Sequence, residues 1–342
     1  MLLRMDERKP PPILLRITGT GEYLPSRLVK SEEFDTRWTK PAGWTRRQVG
    51  IEHRRYAADE EPASLMAARA AEDALDRAGL HADQLDCVIS ACSVMEQAIP
   101  CTAVLVQRRL GLAGSGIPAF DINATCLSFV VALDLVAAAI GTGRYRRVLI
   151  VSSEVASAGL DWDDQETAPL FGDGAAAVVV EACPAEAASE FIAAHMETYS
   201  EGAELCQVRA GGTRLRIADG LEAFKQGAHF EMSGRATYRL AAQHLPRFMD
   251  RLLLRSGVAL GELRKLVPHQ ASAKALKHLE VALGLRTDML VRVLETRGNQ
   301  MAASIPIALH GAIERGEIVR GDLIALVGSG AGLSFGGAVL RY

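Results

Sequence analysis

Short apolar runs alternate along this chain with longer stretches whose apolar positions recur at helical spacing. Residues 13–20 read as a strand, and a polar, tryptophan-bearing segment follows to Tyr56. Residues 62–78 form an alanine-rich helical stretch that closes at Gly79. Residues 85–93 are a continuous apolar run, the pattern of a strand buried on both faces. A helix over 103–110 stops at Gly111, a short strand spans 119–123, and a helix over 126–140 carries almost no charge. Strands at 147–152 and 174–181 complete the first half. The second half repeats this grammar: a long helix at 233–256, a strand at 263–267, helices at 271–283 and 302–315, and strands at 323–327 and 333–342. Alternating strands and helices predict an α/β layered architecture. The nearly uncharged helix at 126–140 predicts a place between layers.

Two stretches look like copies. Residues 147–153 lead to Phe171-Gly172-Asp173-Gly174 and an apolar run at 175–180; residues 322–329 lead to Phe335-Gly336-Gly337 and an apolar run at 338–340. Such self-similarity predicts a duplicated unit. The division expected is an N-terminal extension at 1–12, one half at 13–184 and a second at 185–342. A length of 342 residues with 49% hydrophobic content agrees with two units, at roughly 150 residues per domain.

Charge narrows the partners. With 38 basic and 41 acidic residues the net charge is -3, so neither nucleic acid nor an anionic membrane is the expected partner. No run approaches the length of a membrane span, and the charged, proline-rich start lacks the apolar stretch of a signal peptide. A cytoplasmic protein is the expectation. The six cysteines form no C-x-x-C pair, which argues against zinc or a disulfide framework.

One cysteine stands apart. Asp121-Ile122-Asn123-Ala124-Thr125-Cys126 places a thiol after a strand, at the start of the uncharged helix. Free N–H groups and the positive dipole end there stabilise an anion, so a lowered thiol pKa is expected. The same N–H groups suit an oxyanion. The plainer reading is a small buried cysteine. Val267-Pro268-His269-Gln270 sets an imidazole at a strand end, where ligand sites of α/β folds collect. Asn299, before the helix at 302–315, is either a helix cap or an amide donor facing a cleft.

These segments together resemble the ketosynthase III family of the thiolase superfamily. The matching stretches are Gly43-Trp44 through Arg54, residues 121–129, Phe171-Gly172-Asp173-Gly174-Ala175, Met232-Ser233-Gly234-Arg235, Pro268-His269-Gln270-Ala271, Gly298-Asn299 with residues 302–306, and Gly330-Ala331-Gly332. The resemblance implies a thiolase-like, five-layered αβαβα fold from two duplicated halves, in a homodimer. It implies a 3-oxoacyl-ACP synthase: Cys126 takes an acyl group from acyl-CoA, malonyl-ACP loses carbon dioxide, and the enolate attacks the acyl-cysteine. His269 and Asn299 stabilise that enolate, and the backbone N–H groups of Cys126 and Ala331 form the oxyanion hole. Trp44, Arg46, Arg47 and Ser272 fall where the family binds CoA, and Lys274 and Lys277, with Arg255 and Arg264, where it docks the acyl carrier protein. No metal and no cofactor beyond CoA and ACP thioesters is implied.

The chain departs from the family pattern at several positions. Gln48 and Gln165 stand where arginines that grip CoA are frequent, Ser272 stands for asparagine, and Ser128 stands for a glycine and bears on pocket width. Two other reactions use the same site: plain acyl transfer without elongation, and head-to-head condensation with a glutamate base, for which Glu96 is the candidate. A non-catalytic partner subunit is the third alternative.

Overall fold

A computed structural model describes residues 11–342; of the expected extension at 1–12, residues 1–10 lie outside the described part. Two sheets carry the fold. The first has the strand order Leu15–Tyr23, Gly174–Ala182, Arg147–Glu154, Cys87–Ser90, Ala119–Asp121. Gly174–Ala182 runs antiparallel to both its neighbours, and the remaining pairs are parallel. The second has the order Glu190–Thr198, Ser334–Arg341, Leu323–Gly330, Lys265–Pro268, with the same sense at each step. A parallel bridge from Leu266 to Leu290 stands where the first sheet has its edge strand.

Helices make three further layers. Ala63–Ala78 and Thr102–Arg109 cover the outer face of the first sheet. Gly234–Ser256 and Ala273–Ala282 cover the outer face of the second. Ser128–Gly141 and Ser304–Glu314 lie between the sheets in one shared core. The central placement follows from sequence: Phe129, Leu133 and Val136 face inward with no water to lose, each contributing about 1.5–3 kcal/mol. The alanine-rich outer helix comes close to its sheet. A Cβ on Gly19 would lie 2.0 Å from the Ala74 oxygen, and one on Gly21 2.3 Å from the Ala70 oxygen.

The αβαβα layering is thus the one expected. Two features differ from the sequence reading. Glu190–Thr198 is a strand that the sequence reading left unassigned; Phe191, Ile192 and Ala193 are buried in it, and His195 stacks on Phe248 and bonds Glu197 at 2.8 Å. Arg27–Lys30 and His53–Tyr56 form a hairpin whose Arg54 is fully buried, its guanidinium over Phe34 and donating to the Pro169 oxygen. The pairing of Arg54 with Phe34 and the Pro169 oxygen hides that hairpin from a hydropathy pattern.

Candidate active site

The segment around Cys126 is a pinned turn. The helix begins at Ser128, so Cys126 precedes its cap rather than opening its first turn. Thr125 adopts a left-handed conformation at φ 53. Its N–H donates to Asn123 Oδ1 at 2.9 Å, and the Ala124 N–H donates to Ser128 Oγ at 2.9 Å. Ser128 is therefore a buried brace of the turn, and its hydroxyl faces the Thr125 oxygen.

The second half approaches this turn through glycines. A Cβ on Gly330 would lie 2.5 Å from Thr125 Oγ1. A Cβ on Gly328 would lie 2.9 Å from the His269 Cβ and 3.0 Å from a Leu127 methyl. His269 and the residue after Cys126 therefore flank one glycine. His269 follows the strand Lys265–Pro268 and is fixed by its N–H to the Val327 oxygen at 2.8 Å.

Asn299 is held by the Phe171-Gly172-Asp173-Gly174 segment. Its N–H donates to the Leu170 oxygen at 2.8 Å, and the Gly172 N–H donates to its oxygen at 3.1 Å. A Cβ on Gly172 would strike the Arg297 oxygen at 2.2 Å, and one on Gly174 the Gln300 amide at 2.3 Å. The glycine motif is a cradle for the asparagine. The Asn299 side chain is anchored through both of its polar atoms. Its Oδ1 accepts the Met301 N–H at 2.9 Å, and its Nδ2 donates to the Ala271 oxygen at 3.3 Å. A carboxamide nitrogen has two N–H groups, so one remains for a ligand. Asp173 clamps the same region: its carboxylate accepts the Ala57 and Ser157 N–H groups at 2.8 Å each, and burial pushes it up to about 6.

Electrostatics correct one expectation. The Cys126 thiol is not acidified; burial, then the nearby Glu154 carboxyl and Cys206, push it up to about 12. Its own N–H and the Ser93 hydroxyl pull the other way but lose. Loss of hydration outweighs a helix end that starts two residues later. Burial likewise lowers His269 to about 4, so the imidazole is neutral at pH 7, and its Nδ1 has no partner within the described residues.

The remaining expected residues are distributed as follows. Trp44 begins the short helix Trp44–Val49, edge-on to Trp38 with Lys40 Nζ 4.9 Å from its ring. Gly50 packs that helix onto Ala273, with 2.8 Å between its would-be Cβ and the Ala273 Cβ, so Trp44 and Ser272 belong to neighbouring elements. Ser272 caps the helix Ala273–Ala282, its Oγ accepting the Ala275 N–H at 3.1 Å. Arg46 is engaged by Glu52 and Glu295, and Arg47 by the Ala42 oxygen. Ala331 sits in the turn right after Gly330. Lys274 and Lys277 are exposed on the same helix as Ser272, Lys277 paired with Glu280 at 3.0 Å. Arg264 lies at the opposite end of the strand that delivers His269, and Arg255 is about 10 Å beyond Phe248 along its helix. Glu96 accepts the Ser64 N–H at 2.6 Å, at the start of the helix Ala63–Ala78, and is a helix brace.

Two apolar cavities adjoin these residues. One of about 80 Å³ is lined by His269, Ala271, Gly328, Ser329 and Tyr238. The other, about 280 Å³, is lined by Val94, Leu160, Phe171, Ala228, Phe230 and Met301.

Comparison with known proteins settles the affiliation. Residues 120–200 match the 3-oxoacyl-[acyl-carrier-protein (ACP)] synthase III family, and residues 253–342 match its C-terminal counterpart. A β-ketoacyl-[acyl-carrier-protein] synthase III of Ruegeria sp. (strain TM1040) is 36% identical over 328 residues, covering 95% of this chain and 98% of the relative. The chain belongs to the β-ketoacyl-[acyl-carrier-protein] synthase III family. It is accordingly a condensing enzyme of the acyltransferase class with the thiolase fold. The synthase III of Aquifex aeolicus VF5 superposes with a TM-score of 0.86 at 34% identity, over 96% of this chain and 100% of that one. The priming β-ketosynthase of the R1128 polyketide pathway superposes at 0.87 with 28% identity, over 98% of each. Among the described residues of this family member, no helix is long and apolar enough to cross a membrane. No cluster of His, Cys, Asp or Glu there is placed to hold a metal ion.

Residues the sequence reading passed over also line the site. Ser93 Oγ accepts the Ala302 N–H at 3.2 Å, and its own N–H donates to Glu154 Oε1. Glu154 ends the apolar strand Arg147–Glu154 at 1% exposure. A carboxylate closing an apolar run was the available signal.

Proposed function

We propose that this enzyme joins an acyl primer to malonyl-ACP in two half-reactions through an acyl-Cys126 intermediate. The observation that carries the reading is the meeting of the Cys126 turn with His269 around Gly328, and the Asn299 amide anchored two residues from that histidine. In the first half-reaction Cys126 sulfur attacks the primer thioester, and the thiol proton leaves with CoA. The backbone N–H groups of Cys126 and Ala331 receive the oxyanion. In the second, malonyl-ACP binds, and His269 and Asn299 donate to its thioester oxygen. Loss of carbon dioxide then leaves an enolate that attacks the acyl-cysteine and gives 3-oxoacyl-ACP. Decarboxylation removes no proton, so a neutral imidazole and a carboxamide are the right donors, and burial keeps His269 neutral.

The larger apolar cavity takes the primer chain; its volume and aliphatic and aromatic walls suit an acyl group longer than acetyl. Trp44, Arg47 and Ser272 line the CoA path, and Lys274 and Lys277 attract the acidic carrier protein. A second copy of the chain covers the exposed apolar patch of Val94, Met95 and Ile99, the last 86% exposed.

Intact-protein mass spectrometry after mixing with an acyl-CoA series, then malonyl-ACP, tests this. An acyl adduct on Cys126 that turns over to a 3-oxo product with carbon dioxide release supports it. Acyl transfer without carbon dioxide overturns the condensation.

A further inference from the structure

Gln270 is fully buried, and every hydrogen-bonding position of its amide is occupied. Its Nε2 donates to the Pro268 oxygen at 2.9 Å and to the Val291 oxygen at 3.1 Å. Its Oε1 accepts the Val293 N–H at 3.0 Å and the Leu294 N–H at 3.1 Å. A carboxamide has two N–H groups and two lone pairs on its oxygen, so the set is complete. The residues on either side belong to the candidate site. His269 precedes it, and the oxygen of Ala271, which follows it, accepts Asn299 Nδ2 at 3.3 Å.

The far side of this staple leads to Asn299. Leu294–Arg297 is a short helix whose own cap residue, Val293, makes no side-chain hydrogen bond. The first N–H groups of a helix need outside acceptors, and Gln270 supplies one from another segment. Gly298 follows at φ 68, and then Asn299. The near side continues a backbone pairing. Leu266 N–H donates to the Met289 oxygen at 2.8 Å and Val291 N–H to the Leu266 oxygen at 3.0 Å; the Gln270 amide extends that ladder to the Val291 oxygen. Leu170 and Gly172 hold Asn299 from the first half of the chain. Gln270 ties the same segment to His269.

We propose that Gln270 is a positioning residue for the decarboxylating half-reaction, fixing the spacing between the His269 and Asn299 donors, and that it has no part in acylation of Cys126. None of its four partners lies in the Cys126 turn. Two donors share one oxyanion only when both stand about 2.7–3.1 Å from it, and a misplacement of about 1 Å costs about 10²-fold. Glutamate at this position keeps the shape and the two acceptor bonds, but it offers the Pro268 and Val291 oxygens at most one O–H between them. Methionine keeps the length and makes none of the four bonds.

The inference rests on His269 and Asn299 acting on malonyl-ACP. The test compares wild type, Q270E, Q270M, H269A and the H269A/Q270E double variant. Acyl-Cys126 formation from octanoyl-CoA is followed by intact mass, and carbon dioxide release from malonyl-ACP by single-turnover mixing. Q270E is expected to slow carbon dioxide release at least about tenfold, and Q270M more, with acylation within about twofold of wild type. In the H269A background only one donor is left to place, so the added cost of Q270E should shrink below about threefold. A glutamine that merely holds the fold would slow both half-reactions together and cost as much without the imidazole. Either of those results overturns the proposal, as does wild-type carbon dioxide release by Q270E. Should Q270M not fold, Q270E decides alone. Hydrogen exchange on the wild type needs no variant: the Val293 and Leu294 amides should exchange as slowly as that of Leu266, and fast exchange there overturns the idea. Undiminished carbon dioxide release by H269A would instead sink the functional reading, whereas a normal Q270E beside an impaired H269A sinks only this inference.

Discussion

Gly330 lies against Thr125 so closely that a single methyl group would come within 2.5 Å of the threonine oxygen. This contact joins the turn that presents the thiol to the strand that leads into Ala331. Gly330→Ala therefore has to push the two apart. Overpacking of this kind costs about 1–3 kcal/mol, so a lowered melting temperature is expected, together with slower acyl-enzyme formation. Unchanged acylation by intact mass would show that Ala331 does not serve the oxyanion.

Cys126→Ser removes the sulfur but keeps the turn. A serine hydroxyl with no base to activate it is a poor nucleophile. Acyl adducts should disappear from the mass spectrum while the melting temperature holds. An adduct at wild-type rate would place the nucleophile elsewhere.

His269→Ala and Asn299→Ala are expected to separate the half-reactions. Each removes a donor to the malonyl thioester and none to the primer. Condensation should fall by roughly 10²–10³, with acyl-Cys126 still formed and accumulating. The comparison is carbon dioxide release against adduct mass in single-turnover mixing.

Ala228 lines the larger cavity opposite the aromatic pair Phe171 and Phe230, whose rings lie 5.1 Å apart. Ala228→Trp fills that space. The kcat/KM ratio of octanoyl to acetyl primer should drop by at least about tenfold. An unaltered ratio would direct the primer chain to the cleft beside His269.

Glu197 governs stability in acid. Burial alone would raise its pKa, but hydrogen bonds from Tyr199, Arg251 and His195 outweigh burial and hold it at about 2. Its folded value lies below the unfolded one near 4.5. The stabilisation is therefore complete above the unfolded value and is lost as pH falls from about 4.5 toward 2. The span corresponds to about 2–3 kcal/mol, the lower figure allowing for solvent at Arg251. Thermal melts of Glu197→Gln should be lower than wild type at pH 7, with the gap narrowing below about pH 4.5 and closing only near pH 2.

Much of this was legible in the sequence. The uncharged stretch after Cys126 placed that helix between layers, and the paired glycine-rich turns marked the repeated strand arrangement. Cys126 stood at a strand-to-helix junction, His269 at the end of an apolar run and Asn299 just ahead of a helix. The acidity of the thiol was not legible, because it depends on what surrounds the sulfur, and Glu154 and Cys206 arrive from distant segments. Asn299 carried two meanings that one letter cannot separate, helix cap and amide donor. Glu190–Thr198 went unassigned because Glu190, His195 and Glu197 break up its apolar residues. Ser93 read only as the last residue of an apolar strand, and its contacts with Glu154 and Ala302 come from distant segments.

The two sheets are each complete on one side of Cys183, yet the thiol belongs to the first and its imidazole and carboxamide to the second. A chain emerging from the ribosome therefore displays its sulfur long before anything exists to work with it. Such distant pairings form slowly. Until the later segments dock, the half-made molecule carries a cysteine that no partner residue can yet set to work.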